Sequence, residues 1–243
     1  VYDNLCRQRV RPLCLRPRTY RIMPLGSSAP RMQVDLSHPV ESGMQTYPGD
    51  PAVEVDPHAT HDPDGFHVDA VRCGSHTGTH VDAPAHTEPD GRTLDSYPVE
   101  RFVFDAVVAD CSDLGAREPI PASRVPDVDA DLVAFRTGWD THWGTDAYLE
   151  HPYLSPAAAE ACADRGLGVA VDTLSPDPTP TNNASDDEPT DFRIHHTLLG
   201  NDLLILENLT ALDRVADRFE LRAYPMALAS DGAPVRAVGV FPE

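Results

Sequence analysis

The sequence predicts a single, mixed, strand-rich α/β domain over residues 32–243. The 243 residues suffice for one large domain, and 41% of them are hydrophobic and can build its core. Short apolar runs of strand length alternate with Pro, Gly and Asp, and only one segment has a clear helical pattern. No internal repeat is visible, and the 24 prolines are spread over the loops, which favours one domain over several.

Apolar runs bounded by turn-forming residues place the predicted strands. They predict strands at residues 53–55, 66–72, 102–109, 132–136, 167–172, 203–206, 222–229 and 235–240. The clear helix covers residues 155–165, because Ser155 can cap its first turn, Pro156 suits the first helical position and Gly166 follows its end. A second short helix is expected after Thr210. Residues 176–191 form a low-complexity loop of the kind that often serves as a lid or a subunit contact.

Residues 1–31 differ from the rest of the chain in charge. They contain seven Arg and one acidic residue, a local charge of +6, and prolines interrupt any periodic pattern. We therefore predict a basic, disordered N-terminal tail ahead of the domain at residues 32–243. A basic arm for nucleic acid and a targeting peptide stay open as functional interpretations, beside translation that starts later, at Met23 or Met32.

The charge of the whole chain restricts its partners. The net charge is −20, and all 19 basic residues are Arg. A chain this acidic lacks the basic face that nucleic acid or an anionic membrane surface requires, so we expect neither as a partner. Abundant carboxylates without any Lys favour a surface adapted to a salty cytoplasm. Ordinary acidic solubility with a codon bias towards Arg is the alternative.

Cysteine usage and hydropathy favour a cytoplasmic protein. The five Cys are an odd number without paired spacing, which indicates free thiols in a reducing compartment. The sequence has no run of about 18 apolar residues and no signal-peptide pattern. We therefore expect a soluble protein that acts on a small molecule.

The sequence SHTGTHVDAPAH at residues 75–86 concentrates metal-ligating side chains. It brings His76, His80, Asp82 and His86 within eleven residues. Imidazole and carboxylate groups are the ligands that zinc and manganese accept. The Gly, Thr and Pro among them disfavour a helix, so we predict a strand that ends in a turn and folds these side chains inward. A polar surface loop is the alternative, but four such side chains at this density favour a metal site.

A second source of ligands lies downstream, in FRIHHTLLGNDLLILENL at residues 192–209. His195 and His196 precede an apolar run that ends at Glu207. A carboxylate at the end of a buried strand is costly unless it is paired or bound to metal, so Glu207 is a ligand candidate. An exposed residue just past a strand end is the alternative. Three ligands from the first segment would leave the open position that a catalytic zinc needs.

The segment HTGTHVDAPAH resembles the HxGTHxDxPxH signature of the cyclase family of metal hydrolases, whose best-known members are the bacterial kynurenine formamidases. Further similar segments follow in order from Met32 onward: DLSHPVESGMQTYPGDP, RTGWDTHWG, HPYLSPAAAE, VDTLSPD, HHTLLGNDLLILENL and DGAPVRAV. Seven ordered segments make the resemblance specific. It implies the swivelling β/β/α fold of this family and assembly into a homodimer or homotetramer.

The resemblance also implies which residues bind metal. It assigns His76, His80 and Asp82 to a first divalent ion, zinc or manganese. It assigns His195 to a second ion, to which Asp82 and Glu207 bridge. One or two ions per chain are therefore expected.

The same resemblance implies roles for other positions. His195 is preferred over His196 because the family separates the ligand His from the bridging Glu by twelve residues. His86 matches the residue that transfers the proton. Tyr47 stands where formamidases usually place a Trp against the substrate ring. Thr87 replaces a Phe that is common in the family, and this departure leaves the metal ligands unchanged.

The resemblance implies a metal-dependent hydrolase of an amide bond, of the arylformamidase type. Its substrate would be N-formylkynurenine, an intermediate of tryptophan catabolism, and its products kynurenine and formate. Three alternatives stay open: hydrolysis of a cyclic amide or lactone such as isatin, a metal-binding protein without turnover, and a salt-adapted binding module. His86 favours an enzyme, because a purely structural site needs no spare base beside its ligands.

Overall fold

The computed structural model describes residues 31–242, which contain thirteen β-strands, three α-helices and several short 3₁₀-helices. The strands are β1 (Arg31–Asp35), β2 (Glu54–Ala59), β3 (Val68–Arg72), β4 (His80–Asp82), β5 (Val103–Asp110), β6 (Pro119–Ile120), β7 (Leu132–Arg136), β8 (Tyr153–Leu154), β9 (Gly168–Val171), β10 (Ile205–Glu207), β11 (Arg218–Arg222), β12 (Gly232–Pro234) and β13 (Val238–Pro242). The helices are α1 (His61–Asp64), α2 (Pro156–Arg165) and α3 (Arg193–Leu199). None of these helices is long and apolar enough to cross a membrane.

Nine of the strands form one mixed sheet in the order β1-β13-β11-β5-β7-β9-β10-β4-β12. The central strands β5, β7, β9 and β10 are parallel, whereas the flanking pairs are antiparallel. Parallel neighbours need long crossover connections, and α2 and α3 lie in the connections that follow β7 and β9. Two further pairs, β2 with β3 and β6 with β8, form separate small sheets.

Apolar side chains cover both faces of the central strands. In β7, Leu132 and Ala134 belong to one buried cluster, while Val133 and Phe135 belong to a second cluster on the opposite face. Buried residues of α2 and α3 complete the second cluster. A strand buried on both faces is typical of parallel sheets between layers, and this explains the continuous apolar runs in the sequence.

The first cluster joins the two ends of the sheet. It contains Val34 from β1 and Ala233 from β12, which stand at opposite ends of the strand order. The sheet must therefore curl around this cluster. The predicted fold class, a mixed strand-rich α/β domain, is confirmed.

Several predicted elements agree closely with the structure. Strand β7 has the predicted bounds, and β5 and β9 differ from theirs by one residue at each end. Helix α2 follows Ser155, whose hydroxyl accepts a hydrogen bond from the Ala158 amide at 3.2 Å, and it ends at Gly166 with a positive φ of 68°. The capping residues thus act as the sequence predicts.

The strand predicted at residues 222–229 is wrong. The structure places β11 at Arg218–Arg222, where Phe219 and Leu221 are buried between partly exposed neighbours. Beyond it, Tyr224 and Met226 are exposed on either side of Pro225. The short alternation of RFELR identifies the strand better than the longer apolar run does, because alternation reports burial of one face.

Other boundaries moved or were missed. The strands predicted at 53–55, 66–72, 203–206 and 235–240 correspond to β2, β3, β10 and β13, shifted or trimmed by a few residues. The short helix expected after Thr210 is a 3₁₀-helix, Leu212–Arg214. Helix α3 and strand β1 were not predicted. The predicted tail at residues 1–31 lies outside the described residues, apart from Arg31, which begins β1 and pairs with Pro242.

The loop at residues 176–191 is fastened to its own domain. Arg117 donates hydrogen bonds to both carboxylate oxygens of Glu188 and, at 3.0 Å, to the Thr179 carbonyl. The same guanidinium contacts Glu150 at 3.1 Å. The loop leads directly into α3, so this anchoring also fixes the start of that helix.

Candidate metal centre and active site

Two paired strands bring the predicted ligand segments together. β4 and β10 are antiparallel, and their register sets His80 opposite Glu207. Directly opposed residues point to the same face of a sheet, so these two side chains meet although they are far apart in sequence. After β4 the chain turns through the 3₁₀-helix Pro84–His86. This turn brings the His86 ring against that of His76, with ring centroids 3.9 Å apart and a tilt of 39°. The predicted strand ending in a turn is confirmed.

Asp82 lies at the centre of the cluster and is fully buried. Its Oδ1 is 2.8 Å from His76 Nδ1 and 3.2 Å from His80 Nε2, while its Oδ2 is 3.7 Å from His195 Nε2. Glu207 contacts two of these three imidazoles: its carboxylate oxygens lie 3.2 Å from His80 Nε2 and 3.2 Å from His195 Nε2. The side chains divide into two overlapping sets of three, His76–His80–Asp82 and Asp82–His195–Glu207.

The orientation of two of these imidazoles is fixed from outside the cluster. His80 Nδ1 donates to the Gly78 carbonyl at 2.7 Å, and His195 Nδ1 donates to the Asp177 carboxylate at 2.7 Å. Asp177 also accepts hydrogen bonds from the backbone amides of Ile194 and His195, both at 3.0 Å. Because the outer nitrogen of each ring already donates a hydrogen bond, Nε2 is the nitrogen that would bind a metal. Metal-ligating histidines have this arrangement.

His76 is held in the same way by a different carboxylate. Its Nε2 is 2.9 Å from Asp231 Oδ2, and this leaves Nδ1 facing Asp82. Gly232 makes room for the ring, because a Cβ at that position would lie 2.6 Å from His76 Cε1. The three histidines thus converge on the carboxylates with the nitrogens that their outer hydrogen bonds leave available.

The donor set fits a divalent metal ion. Three buried atoms of the cluster have no hydrogen-bond partner among the described residues: His80 Nε2, Asp82 Oδ2 and Glu207 Oε1. Buried polar atoms are seldom left unpaired, and such atoms need an explanation such as an ion. Here they belong to imidazole and carboxylate groups, the ligands of zinc and manganese. His80, Asp82 and Glu207 therefore have free donor atoms at the point where a cation would bind.

The charges within the cluster support one another. Burial lowers the pKa of His80, but Asp82 and Glu207 outweigh it and raise that pKa well above its ordinary value. Burial also lowers the pKa of His195, but the neighbouring carboxylates of Asp177, Asp82 and Glu207 raise it well above the usual range. Burial would raise the pKa of Asp82, yet the adjacent imidazoles hold it well below normal. The buried carboxylates need balancing positive charge, which protons or a divalent ion can supply.

His86 stands beside the ligands in a different environment. Its Nδ1 is 3.3 Å from Asp231 Oδ2, and its ring lines the adjoining cavity. Burial lowers the pKa of His86, and the neighbouring imidazoles of His76 and His195 lower it further, against the opposite effect of the carboxylates. A neutral imidazole at pH 7 is able to accept a proton.

The cluster forms the floor of a cavity of about 330 Å³. Residues 45–50 and Phe192 also line it. The rings of Tyr47 and Phe192 have centroids 6.1 Å apart and are tilted by 47°, and the Phe192 ring also meets the His195 ring edge to face at 5.9 Å. Burial raises the pKa of the Tyr47 hydroxyl to about 12, so this group stays neutral. The cavity therefore combines polar groups with aromatic surface, as small-molecule sites do.

The structure brings together every predicted site residue. His76, His80, Asp82, His195 and Glu207 lie in the cluster, and His86 and Tyr47 line the same cavity. His196, the alternative to His195, lies elsewhere: it is exposed and pairs with Glu88 at 2.8 Å.

Three site residues escaped the sequence analysis. Asp177 and Asp231 lie within the segments VDTLSPD and DGAPVRAV, so their positions were marked but their roles were not. Both act at a distance in sequence from the histidines they orient, and no spacing rule connects them. Phe192 precedes α3 and adopts a positive φ of 52°. No recognisable sequence motif marked this apolar residue as part of the site.

Comparison with known proteins agrees with this geometry. The family model Cyclase matches residues 34–178, and the chain therefore belongs to the cyclase family. Kynurenine formamidase of Salinibacter ruber is 32% identical over 214 residues, which cover 84% of this chain and 95% of that protein. Kynurenine formamidase of Bacillus cereus is 32% identical over 212 residues, with the same coverage. The resemblance inferred from the sequence is confirmed.

Solved structures share the fold. An isatin hydrolase bound to the product analogue thioisatinate has a TM-score of 0.76 and 24% identity, over 88% of this chain and 93% of that one. Isatin hydrolase A from Labrenzia aggregata, bound to benzyl benzoate, has a TM-score of 0.76 and 23% identity, over 88% and 94%. A Bacillus stearothermophilus protein described as a metal-dependent hydrolase has a TM-score of 0.70 and 23% identity, over 87% and 99%.

Proposed function

We propose that this protein is a metal-dependent hydrolase of a non-peptide amide, with an aryl formamide such as N-formylkynurenine as its substrate. One observation carries the proposal: a spare imidazole, His86, lies beside a buried histidine–carboxylate cluster in a cavity that also has an aromatic wall. The kynurenine formamidases that resemble the chain over most of their length support this choice of substrate.

The proposed metal, zinc or manganese, would be held by the five residues of the cluster. His76, His80 and Asp82 would hold one ion, and Asp82, His195 and Glu207 a second, if two bind. When bound, such an ion supplies Lewis-acid chemistry: it polarises a carbonyl oxygen and makes water a stronger nucleophile near neutral pH. The protein orients the three imidazole ligands through hydrogen bonds to Gly78, Asp177 and Asp231.

His86 would carry the proton. Its Nδ1 faces Asp231, so Nε2 is the nitrogen that can take a proton from the attacking water. The formyl carbon gains the hydroxyl group, the C–N bond breaks, and the same nitrogen returns the proton to the departing amine. Formate and an aryl amine result, and no side chain becomes acylated.

Tyr47 and Phe192 would bind the aryl ring. They line the same cavity as the histidines, and their rings suit a flat aromatic group. A tyrosine in place of the tryptophan typical of formamidases reduces the stacking surface at this point. Phe192 adds a second ring beside His195.

A cyclic amide such as isatin is the second candidate. The isatin hydrolases share this chain's fold, and ring opening of a cyclic amide breaks the same kind of C–N bond beside an aromatic ring. The two candidates differ in whether the amine product leaves the cavity or stays joined to the acid.

A hydrolysis screen separates these possibilities. The protein is stripped with a chelator, reloaded separately with zinc and manganese, and assayed with N-formylkynurenine, isatin and a simple lactone. We expect the highest kcat/KM for N-formylkynurenine, and loss of activity in stripped protein. Preference for isatin would favour the second candidate. Full metal occupancy without turnover of any substrate would indicate a metal-binding protein and contradict the proposal.

A further inference from the structure

Asp231 contacts both a ligand of the cluster and the spare imidazole. Its Oδ2 is 2.9 Å from His76 Nε2 and 3.3 Å from His86 Nδ1. The other oxygen, Oδ1, accepts a hydrogen bond from the Ser230 hydroxyl at 2.9 Å. One carboxylate oxygen therefore joins the two functional parts of the site.

The backbone around Asp231 is shaped to hold this contact. The Asp231 carbonyl accepts a hydrogen bond from the Ala83 amide at 2.8 Å, and the next residue, Gly232, pairs with Asp82 in the sheet. Any side chain at position 232 would collide with the His76 ring. The carboxylate is thus fixed to the strand that carries the ligands, and the adjacent glycine admits the ring that the carboxylate binds.

The chemistry of a carboxylate determines which nitrogens carry protons. An ionised carboxylate only accepts hydrogen bonds, so both ring nitrogens that face it must be donors. His76 is then protonated on Nε2, and its Nδ1, which faces Asp82 Oδ1 at 2.8 Å, is the nitrogen that would give up its proton to bind a metal. His86 is protonated on Nδ1, which leaves Nε2 unprotonated and free to receive a proton.

We infer that Asp231 is a positioning residue that selects the functional tautomer of His76 as a ligand and of His86 as the proton carrier. The inference rests on the proposed function for its effect on turnover, but not for its effect on tautomers or metal affinity. Without Asp231, no other hydrogen bond among the described residues holds His86 Nδ1 or His76 Nε2. His76 then keeps only the contact of its Nδ1 with Asp82, which favours the proton on the nitrogen that the metal needs.

A competing interpretation makes Asp231 a ligand. His76, His86 and Asp231 themselves form a set of three groups with donor atoms close enough to hold an ion. In that case removal of the carboxylate abolishes one binding site, whereas a positioning residue changes affinity and leaves the number of bound ions the same. The two roles therefore differ in stoichiometry.

The test compares Asp231→Ala and Asp231→Asn with the parent protein. Asp90→Ala is the matched control, because Asp90 is an exposed carboxylate outside the site. Three quantities are measured: the ¹⁵N chemical shifts of the His86 ring in metal-free protein, the number and affinity of bound zinc ions by competition with a chelator, and kcat and KM at saturating zinc. The His86 signals are assigned by their absence in His86→Gln.

We expect the parent and Asp90→Ala to have His86 protonated on Nδ1, and Asp231→Ala to have a mixture of tautomers. Zinc affinity should fall about 10- to 100-fold in Asp231→Ala with unchanged stoichiometry. At saturating zinc, kcat should fall about tenfold or more while KM changes less than about twofold. Asp231→Asn keeps the shape and one acceptor oxygen, so its values should lie between the parent and Asp231→Ala.

Three results would overturn the inference. The first is an unchanged His86 tautomer in Asp231→Ala, the second is loss of one bound ion, and the third is full recovery of kcat at saturating zinc. Absence of turnover in the parent protein would instead contradict the proposed function, while the tautomer and affinity measurements would still decide the role of Asp231.

Discussion

Asp82 shows how one buried side chain can organise the whole site. Its two oxygens face different histidines, and each of those histidines is fixed by a hydrogen bond on its far side. Any substitution of Asp82 removes a donor shared by both sets of ligands. The histidines differ, because each of them belongs to only one of the two sets that share Asp82.

Substitutions of the ligands and of the spare imidazole, His86, should have different effects. His76→Ala and Asp82→Ala should each lose most bound metal and nearly all hydrolysis, since a small cage loses both affinity and geometry with one ligand. His86→Ala should keep its metal and lose about 10²- to 10⁴-fold in rate, the usual contribution of a general acid or base. Elemental analysis of dialysed protein and a rate assay measure both effects.

The two groups of variants also serve as controls for each other. Full metal occupancy in both His76→Ala and Asp82→Ala would contradict the ligand assignment. Loss of metal in His86→Ala would make His86 a ligand and not a proton carrier.

Gly232 offers a test that removes no functional group. In Gly232→Ala the new Cβ would lie 2.6 Å from His76 Cε1, so the imidazole must shift from the position in which it contacts Asp82 and Asp231. We expect metal affinity to fall about tenfold or more, as it does when the orientation of a ligand is disturbed. Chelator competition measures the change. Gly115→Ala is the control, because its Cβ would meet nothing closer than Glu118 Cδ at 3.9 Å; equal affinities in the two variants would contradict the steric argument.

At the scale of secondary-structure elements, the sequence predicted local features better than distant pairings. Helix α2 and strand β7 have their own caps or apolar runs, and the cluster of His76 to His86 is a local motif. Helix α3 was missed because HHTLLGNDLLIL merges a helix and the following strand into one apolar run. The contacts of Asp177 and Asp231 depend on sheet pairing between distant segments, which one sequence does not reveal.

The segment just before β8 contains a buried histidine with no role in the site. His151 Nδ1 donates to the Pro152 carbonyl at 2.8 Å, and its Nε2 accepts a hydrogen bond from the Thr179 hydroxyl at 2.8 Å. Burial lowers the pKa of His151 to about 4, below the ordinary value near 6.5. Both hydrogen bonds are compatible with the neutral ring, because the Thr179 hydroxyl can donate to Nε2.

This histidine should make stability depend on pH. Between about pH 6.5 and pH 4 the unfolded chain binds a proton at His151 and the folded chain does not, so the free energy of unfolding falls as the pH falls. The contribution lost between pH 7 and pH 5 is about 2 kcal/mol. Urea unfolding of the parent and of His151→Gln at both values measures it, and the difference between pH 7 and pH 5 should shrink by that amount in the variant.

The exposed His58 supplies the matched control, since His58→Gln removes an imidazole from the surface strand β2. An identical pH dependence in the parent and in His151→Gln would show that His151 does not contribute. The value of about 2 kcal/mol is a difference between the parent and His151→Gln, so the contributions of other titrating groups cancel.

At the scale of the whole molecule, repulsion between carboxylates exceeds what ion pairs can offset. Residues 32–243 carry 38 Asp and Glu but only 12 Arg, a net charge of −26. Exposed pairs such as Arg236 with Asp35 and Arg218 with Asp105 neutralise a few of these acids. Each such surface pair contributes about 1 kcal/mol or less. Most carboxylates have no basic residue to pair with.

Stability should therefore rise with salt. The Debye length falls from about 30 Å at 0.01 M to about 3 Å at 1 M, so salt screens the widespread repulsion as well as the few attractive pairs. Because acids outnumber Arg about threefold, the loss of repulsion is the larger effect. We expect the Tm to increase between 0.05 and 2 M sodium chloride, from about pH 6 to pH 8, where carboxylates stay ionised.

Potassium chloride distinguishes screening from a specific cation site, since screening gives the same increase with both salts. A Tm that is flat or falls with salt would contradict a salt-adapted surface. The acidic composition would then serve solubility alone.

The pairing of β4 with β10 also sets the order of events while the chain is being made. The segment with His76, His80 and Asp82 is synthesised first. Glu207 on β10 and Asp231, just before β12, are added much later. At about 5–20 residues per second this interval lasts on the order of ten seconds. A nascent chain thus presents three ligands without the partners that orient and complete them. Ribosome-bound chains that stop before residue 207 should retain zinc far more weakly than released protein.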